Sequence, residues 1–204
     1  VRTFTDHAQL DIPYAILCPV YFLRYPNELA SHVVSVDVLA RQIISRPRIR
    51  QTLILKKGTL PKWAPSGILR NAESWVLEES EVELDSPFSA SDQRTDGEGR
   101  KMKCWTRNLD HTTVMAVTEN LTFTEQLPAS IDKEDAPIST SRLDSTHDVE
   151  SSMGFTLLQS RIEKFGYQRV RTHVDTSRKG LWMTYSRFLQ QRLQEGRINA
   201  LVVN

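Results

Sequence analysis

From Val149 to about Gly196 apolar residues recur at helical intervals, and this stretch constrains the fold more than any other. Met153, Leu157, Ile162, Phe165, Val170, Val174, Leu181, Tyr185, Phe188, Leu189 and Leu193 mark one stripe of a long C-terminal helix. Gly154, Gly166 and Gly180 interrupt it. Each costs about 1 kcal/mol against Ala at an exposed site, so packing or a bend is expected there. A helix this long with an apolar stripe needs a partner layer.

The residues before it supply that layer. Thr3–Leu10 alternates and reads as a first strand. Pro13 suits the first turn of a helix, with Asp11 as candidate cap. Ile16, Leu17, Val20, Tyr21 and Leu23 carry that helix across 13–24, and Pro19 should kink or split it. His32–Ile44 and Ile49–Leu55 read as a hairpin rich in Val and Ile, closed by Lys56-Lys57-Gly58. Thr59–Leu69, with two prolines and a glycine, reads as a loop.

Ser74–Leu84 alternates as a strand, with Val76, Glu78, Ser80, Val82 and Leu84 on one phase. Residues 85–100 contain almost no apolar mass and read as a disordered insertion. Lys101–Leu109 and Thr113–Glu125 read as two strands joined at Asp110-His111. Pro128–Pro137 is a polar loop, and Ile138–His147 a weaker last strand. The fold class expected is α+β: a curved, mostly antiparallel sheet of about seven strands gripping the long helix, with a lid loop and an internal cavity. Residues 1–196 form a single domain on this reading, followed by a tail at 197–204.

Composition narrows the function. The 204 residues carry 26 basic and 25 acidic side chains, a net charge of +1. Bulk charge therefore gives no argument for nucleic acid or membrane. Cys18 and Cys104 are too few and too distant for a disulfide framework and are expected as buried free thiols. No apolar run reaches the ~20 residues that span a bilayer. The first residues show neither a signal-peptide pattern nor an Arg-rich presequence, and the start at Val leaves room for residues before it. No G-x-S-x-G, H-E-x-x-H, P-loop or C-x-x-C motif is present, although five histidines are.

Four segments, in order, resemble the PRELI-like family. They are YFLRYPNELASHVVSVDVL (21–39), LILKKGTLPKW (53–63), TRNLDHT (106–112) and GFTLLQSRIEKFGYQRVRTHVDTSRKG (154–180). The third matches the fungal form. The resemblance spans roughly 3–195. It implies a carrier of phosphatidic acid, or alternatively phosphatidylserine, between the mitochondrial outer and inner membranes. It further implies residence in the intermembrane space, a small helical-hairpin partner with twin C-x9-C motifs, no cofactor and no catalysis. A lipid-sensing or protein-binding module of the same fold is the other alternative.

A carrier faces two physical problems. A diacyl lipid exposes on the order of 30 methylenes at about 0.8 kcal/mol each, so a dry cavity must offset desorption. A phosphate monoester carries about −1.5 to −2 charges and needs buried cations. The resemblance assigns the head group to Arg24, His32, Lys56, Lys57 and Arg169, with Arg171 and Arg178 as alternatives to the last. Only one of Lys56 and Lys57 can face inward on a strand. It assigns the lid and membrane contact to Leu60, Pro61, Lys62, Trp63 and Phe165. The plainer alternatives are a solvated helix-end charge at Arg24, a solvated hairpin end at the lysines, an ordinary core or surface histidine at His32, a solvated helix face at Arg169 and core packing at Trp63 and Phe165. The family's usual lysines are missing at Thr59 and Thr176, and a basic residue is missing at Leu53.

Overall fold

The computed structural model describes residues 1–45, 48–57, 74–84, 99–127 and 139–196. Seven strands form one antiparallel sheet: β1 (Arg2–Leu10), β2 (Val33–Ser45), β3 (Arg48–Lys57), β4 (Ser74–Glu83), β5 (Lys101–Asn108), β6 (Ala116–Gln126) and β7 (Thr140–Glu150). Their spatial order is β1-β7-β6-β5-β4-β3-β2. Five neighbouring pairs follow the chain, and β1 closes onto β7, so β1 and β2 form the two edges. Helix α1 (Tyr14–Phe22), one 3₁₀ turn (Glu28–Ala30) and helix α2 (Thr156–Gln194) complete the fold. The α+β layout expected from the sequence is the one observed.

The core forms where α1 meets the sheet. Leu17 and Val20 of α1 are fully buried, with Leu10 and Ile12 before it and Met102, Phe123 and Leu143 beneath it. Burying each such side chain stabilises by about 1.5–3 kcal/mol. This explains why α1 continues through Pro19 as one helix and is not split there. The lost backbone bond and ring clash cost about 3 kcal/mol in a helix interior, and the burial of Leu17, Cys18, Val20 and Tyr21 around it exceeds that. Asp11 does not cap the helix; Pro13 occupies the cap position with no side-chain bond.

Helix α2 packs on β1, β7, α1 and the 3₁₀ turn. It starts at Thr156, later than the helical stripe suggests, because β7 continues to Glu150. The inward phase of β7 is Ser141, Leu143, Ser145, His147 and Val149. Three polar residues there disguise a period-2 pattern that runs on to Val149. The helix is continuous through Gly166 and Gly180, and both glycines have a packing reason. A Cβ on Gly166 would lie 2.5 Å from Val149 Cγ1 and 2.8 Å from Met115 Sδ. At Gly180 the Asn27 side chain crosses the helix and its Nδ2 donates to the Gly180 carbonyl at 3.0 Å.

Both cysteines are free and buried, as expected. Burial pushes the Cys18 thiol up to about 11 and raises Cys104 as well. Of the expected disordered insertion, 85–98 lies outside the described residues. Its last two residues are built into the fold instead. Gly99 is buried so close to the Glu125 carbonyl that a Cβ would collide at 2.0 Å. Arg100 pairs with Glu125, Nη2 to Oε1 at 2.5 Å. The expected loops at Thr59–Leu69 and Pro128–Pro137 and the tail at 197–204 also lie outside the described residues.

Candidate functional site

Between α2 and the sheet lies a hollow of about 450 Å³, a volume that includes space open to solvent. Tyr21 and Arg24 line it from the end of α1. Glu119, Leu121 and Phe123 line it from β6, and Leu143, Ser145 and His147 from β7. Helix α2 contributes Val174, Ser177, Arg178 and Leu181. The α2 spacing is i, i+3, i+4, i+7, one face of a helix. The strand residues alternate, as the inward face of a sheet must.

Arg24 is the most constrained charge in the wall. Its side chain is 13% exposed and pairs with Glu78, which is 2% exposed, through a short Nη2 to Oε2 contact. Nη1 donates to the Tyr21 carbonyl at 2.8 Å. The guanidinium lies over the Tyr21 ring at 3.8 Å and near the Tyr25 ring at 4.6 Å. Burial pulls the Arg24 guanidinium down, but Glu78 and the two tyrosines raise it, and the balance leaves it well above its ordinary value. Arg24 is therefore a fixed positive charge. Two of its five N–H donors are engaged by these partners among the described residues, which leaves donor capacity for an anion.

Residues 17–192 match the sequence profile of the PRELI-like family. The chain belongs to the PRELI-like family. The Saccharomyces cerevisiae protein UPS1, mitochondrial, is 31% identical over 186 residues, 90% of each chain. The Schizosaccharomyces pombe ups1 homolog is 28% identical over 191 residues, 93% of this chain and 96% of its own. PRELI domain-containing protein 1, mitochondrial, of Gallus gallus is 22% identical and covers 82% of this chain and 69% of its own. Among solved structures, a Thermus thermophilus protein superposes with a TM-score of 0.50 at 14% identity. The overlap spans 90% of this chain and 97% of that one, a likeness of fold alone.

Within this PRELI-like chain the residues singled out from the sequence do not all converge. Arg24 lines the hollow. Lys56 and Lys57 end β3, where Lys56 pairs with Ser35 and Trp75, and Lys57 with Val33 and Ser74. Their side chains lie outside the described residues. The position of Lys57 falls on the same strand phase as the buried Leu53 and Leu55. His32 precedes β2, and its ring stands 5.9 Å from the His173 ring on α2; it is not in the wall of the hollow.

Arg169 is half-buried on α2, and burial lowers it. It lies five residues before Val174, about 140° around the helix from the hollow face at 3.6 residues per turn. Its sequence alternative, Arg178, is the one in the wall. Arg171 is exposed. Phe165 is half-buried on α2. Leu60, Pro61, Lys62 and Trp63 lie outside the described residues.

Sequence reasoning missed Glu78, Glu119 and His147. A signal existed for Glu78. It sits on the apolar phase of β4 between Val76 and Ser80, and a carboxylate there demands a buried partner. His147 carried the same signal on β7 between Ser145 and Val149, hidden because two of the other residues on that phase are serines.

Proposed function

We propose that this PRELI-like protein is a carrier of an acidic phospholipid, phosphatidic acid in first place, between the mitochondrial outer and inner membranes. The observation that carries the reading is a buried, permanently charged Arg24 in the wall of a hollow whose remaining lining is largely apolar. An enclosed guanidinium with donors to spare recognises a phosphate, while Leu121, Phe123, Leu143 and Leu181 offer surface to acyl chains. The relatives named mitochondrial support the compartment, and the intermembrane space is the part of it between the two membranes served. A small helical-hairpin partner with twin C-x9-C motifs belongs to the same reading. The lipid leaves chemically unchanged, and no cofactor takes part.

Much of the hollow's volume is open to solvent, and the enclosed part is well below the ~300–1,000 Å³ of usual small-molecule sites. A diacyl lipid with ~30 methylenes is larger than this space, so α2 must move away from the sheet on loading. In this reading Lys57 joins Arg24 at the phosphate, and Leu60, Pro61 and Trp63 meet the bilayer.

Transfer between liposomes tests the proposal. Changing Arg24 alone would strand Glu78 and cost about 3–5 kcal/mol. The pair is therefore replaced together, Arg24→Gln with Glu78→Gln, and Lys57→Glu is made separately. The double variant should fold and lose at least about tenfold in phosphatidic acid transfer, equivalent to ~1.4 kcal/mol. Undiminished transfer by the folded double variant would remove Arg24 from the head-group site. Phosphatidylserine vesicles run in parallel decide between the two lipids.

A further inference from the structure

The hollow contains more ionisable groups than Arg24, and their charges largely cancel. Arg24 is paired with Glu78. Arg178 reaches across from α2 to β1, where its Nη2 meets Asp6 Oδ2 at 2.5 Å, with Asp175 Oδ1 at 3.5 Å. Glu119 stands in the wall as a further carboxylate. A phosphate adding about −1.5 to −2 charges would therefore enter a site already balanced or slightly negative. Such burial without another cation is strongly unfavourable. Among the described residues lining the hollow, His147 is the side chain able to acquire positive charge.

His147 is 5% exposed. Register places it between Phe4 on β1 and Glu119 on β6. Its Nδ1 lies 3.3 Å from Glu119 Oε1, and its ring stands 5.9 Å from the Phe4 ring. The Glu119 carboxylate thus stands beside one ring nitrogen. The other, Nε2, is buried with no hydrogen-bond partner among the described residues, and so is Arg178 Nε. An orphaned buried polar atom costs about 1–3 kcal/mol, and both atoms belong to residues that line the hollow. Glu119 from β6 and Phe4 from β1 stand against His147, and Arg178 from α2 and Arg24 from the end of α1 share the lining of the hollow with it.

We propose that His147, supported by Glu119, is a second head-group contact that selects a phosphate monoester over a phosphodiester. The inference rests on the carrier reading and deepens it. A monoester has a second ionisation near ~6. As a dianion it accepts a hydrogen bond from the His147 imidazolium; as a monoanion it donates its P–OH to Nε2 of the neutral ring. In both cases one proton is shared between Nε2 and a phosphate oxygen, and no covalent bond to phosphorus or carbon changes. A diester has neither the extra charge nor the proton. Arg178 Nε supplies a neighbouring donor.

Transfer by the full chain is measured from vesicles holding equal mole fractions of phosphatidic acid or phosphatidylglycerol, for the wild type, His147→Gln and Glu119→Gln. The wild type should favour phosphatidic acid. His147→Gln should lower the ratio of phosphatidic acid to phosphatidylglycerol transfer about tenfold, the loss of one hydrogen bond to a charged group. Glu119→Gln, at a position one-third exposed, should lower the same ratio by less, and it carries the test if His147→Gln does not fold. An unchanged ratio in a folded variant, or both lipids falling together, overturns the inference while leaving the carrier reading intact. A wild type that moves the two lipids equally also overturns it. A wild type that moves neither overturns the carrier reading and this inference with it.

Discussion

The two halves of the sheet are stabilised by different means. On the side of β1, β7 and β6, two helices lie over the strands, and one continuous core runs from Leu10 through Phe123 to Leu181. On the side of β2 and β3 the buried cluster among the described residues is Val33, Leu53, Leu55 and Val76, with Phe22 and Tyr25 leaning on it. Strand β2 leaves Val34, Val38, Leu39, Ile43 and Ile44 exposed. The covered half holds the fold, and the open wing presents the ends of β3 and β4 from which residues 58–73 depart. Arg24 and Glu78 join the halves, one at the end of α1 and one on the first strand of the wing. In the carrier reading proposed above, this division keeps the stabilising core apart from the edge beside residues 58–73.

Substitutions can break or sharpen the comparison. Phe123→Ala in the covered half should lower the unfolding free energy by about 3–5 kcal/mol, measured by urea denaturation. Gly166→Ala should have a smaller effect. Helix propensity gains about 1 kcal/mol, and overpacking against Val149 and Met115 loses about 1–3, so a net loss near ~1 kcal/mol is expected in the same assay. In the wing, Val38→Thr and Ile43→Thr should each stay within about 0.5 kcal/mol. A wing substitution as costly as Phe123→Ala would show that the open half carries stability after all.

Much of the architecture was legible in the residues. The alternation of β4 and the Val/Ile-rich hairpin mark strands, and the α2 stripe from Ile162 to Leu193 marks the helix. What was not legible has a common cause: polar residues on inward phases. Ser141, Ser145 and His147 made β7 look weak and short, and their hydrogen bonds and contacts become visible only with β1 and β6 beside them. Ser141 Oγ, for example, donates to the Ile12 carbonyl at 2.8 Å. Pro19 misled for a related reason, since local propensity is overridden when a helix is surrounded by core. At the site, Arg24 was legible through its place in the RYPN motif. Its partner Glu78 lies 54 residues away, a distance that no local pattern spans. The choice between Arg169 and Arg178 needed the rotation of α2 about its axis, which only the packed helix fixes.

Strand β2 has a further consequence. Among the described residues it ends the sheet, with no strand on its outer side and with exposed aliphatic side chains along it, the usual template for one chain to stitch onto another. Its pairing with β3 slips at three places, between Val33 and Ser35, Val38 and Ala40, and Ile43 and Ser45. Each slip bends the strand and interrupts the even spacing that a docking strand would need. The irregularities thus guard against fibre growth, and straightening them would turn a quiet border into a sticky one.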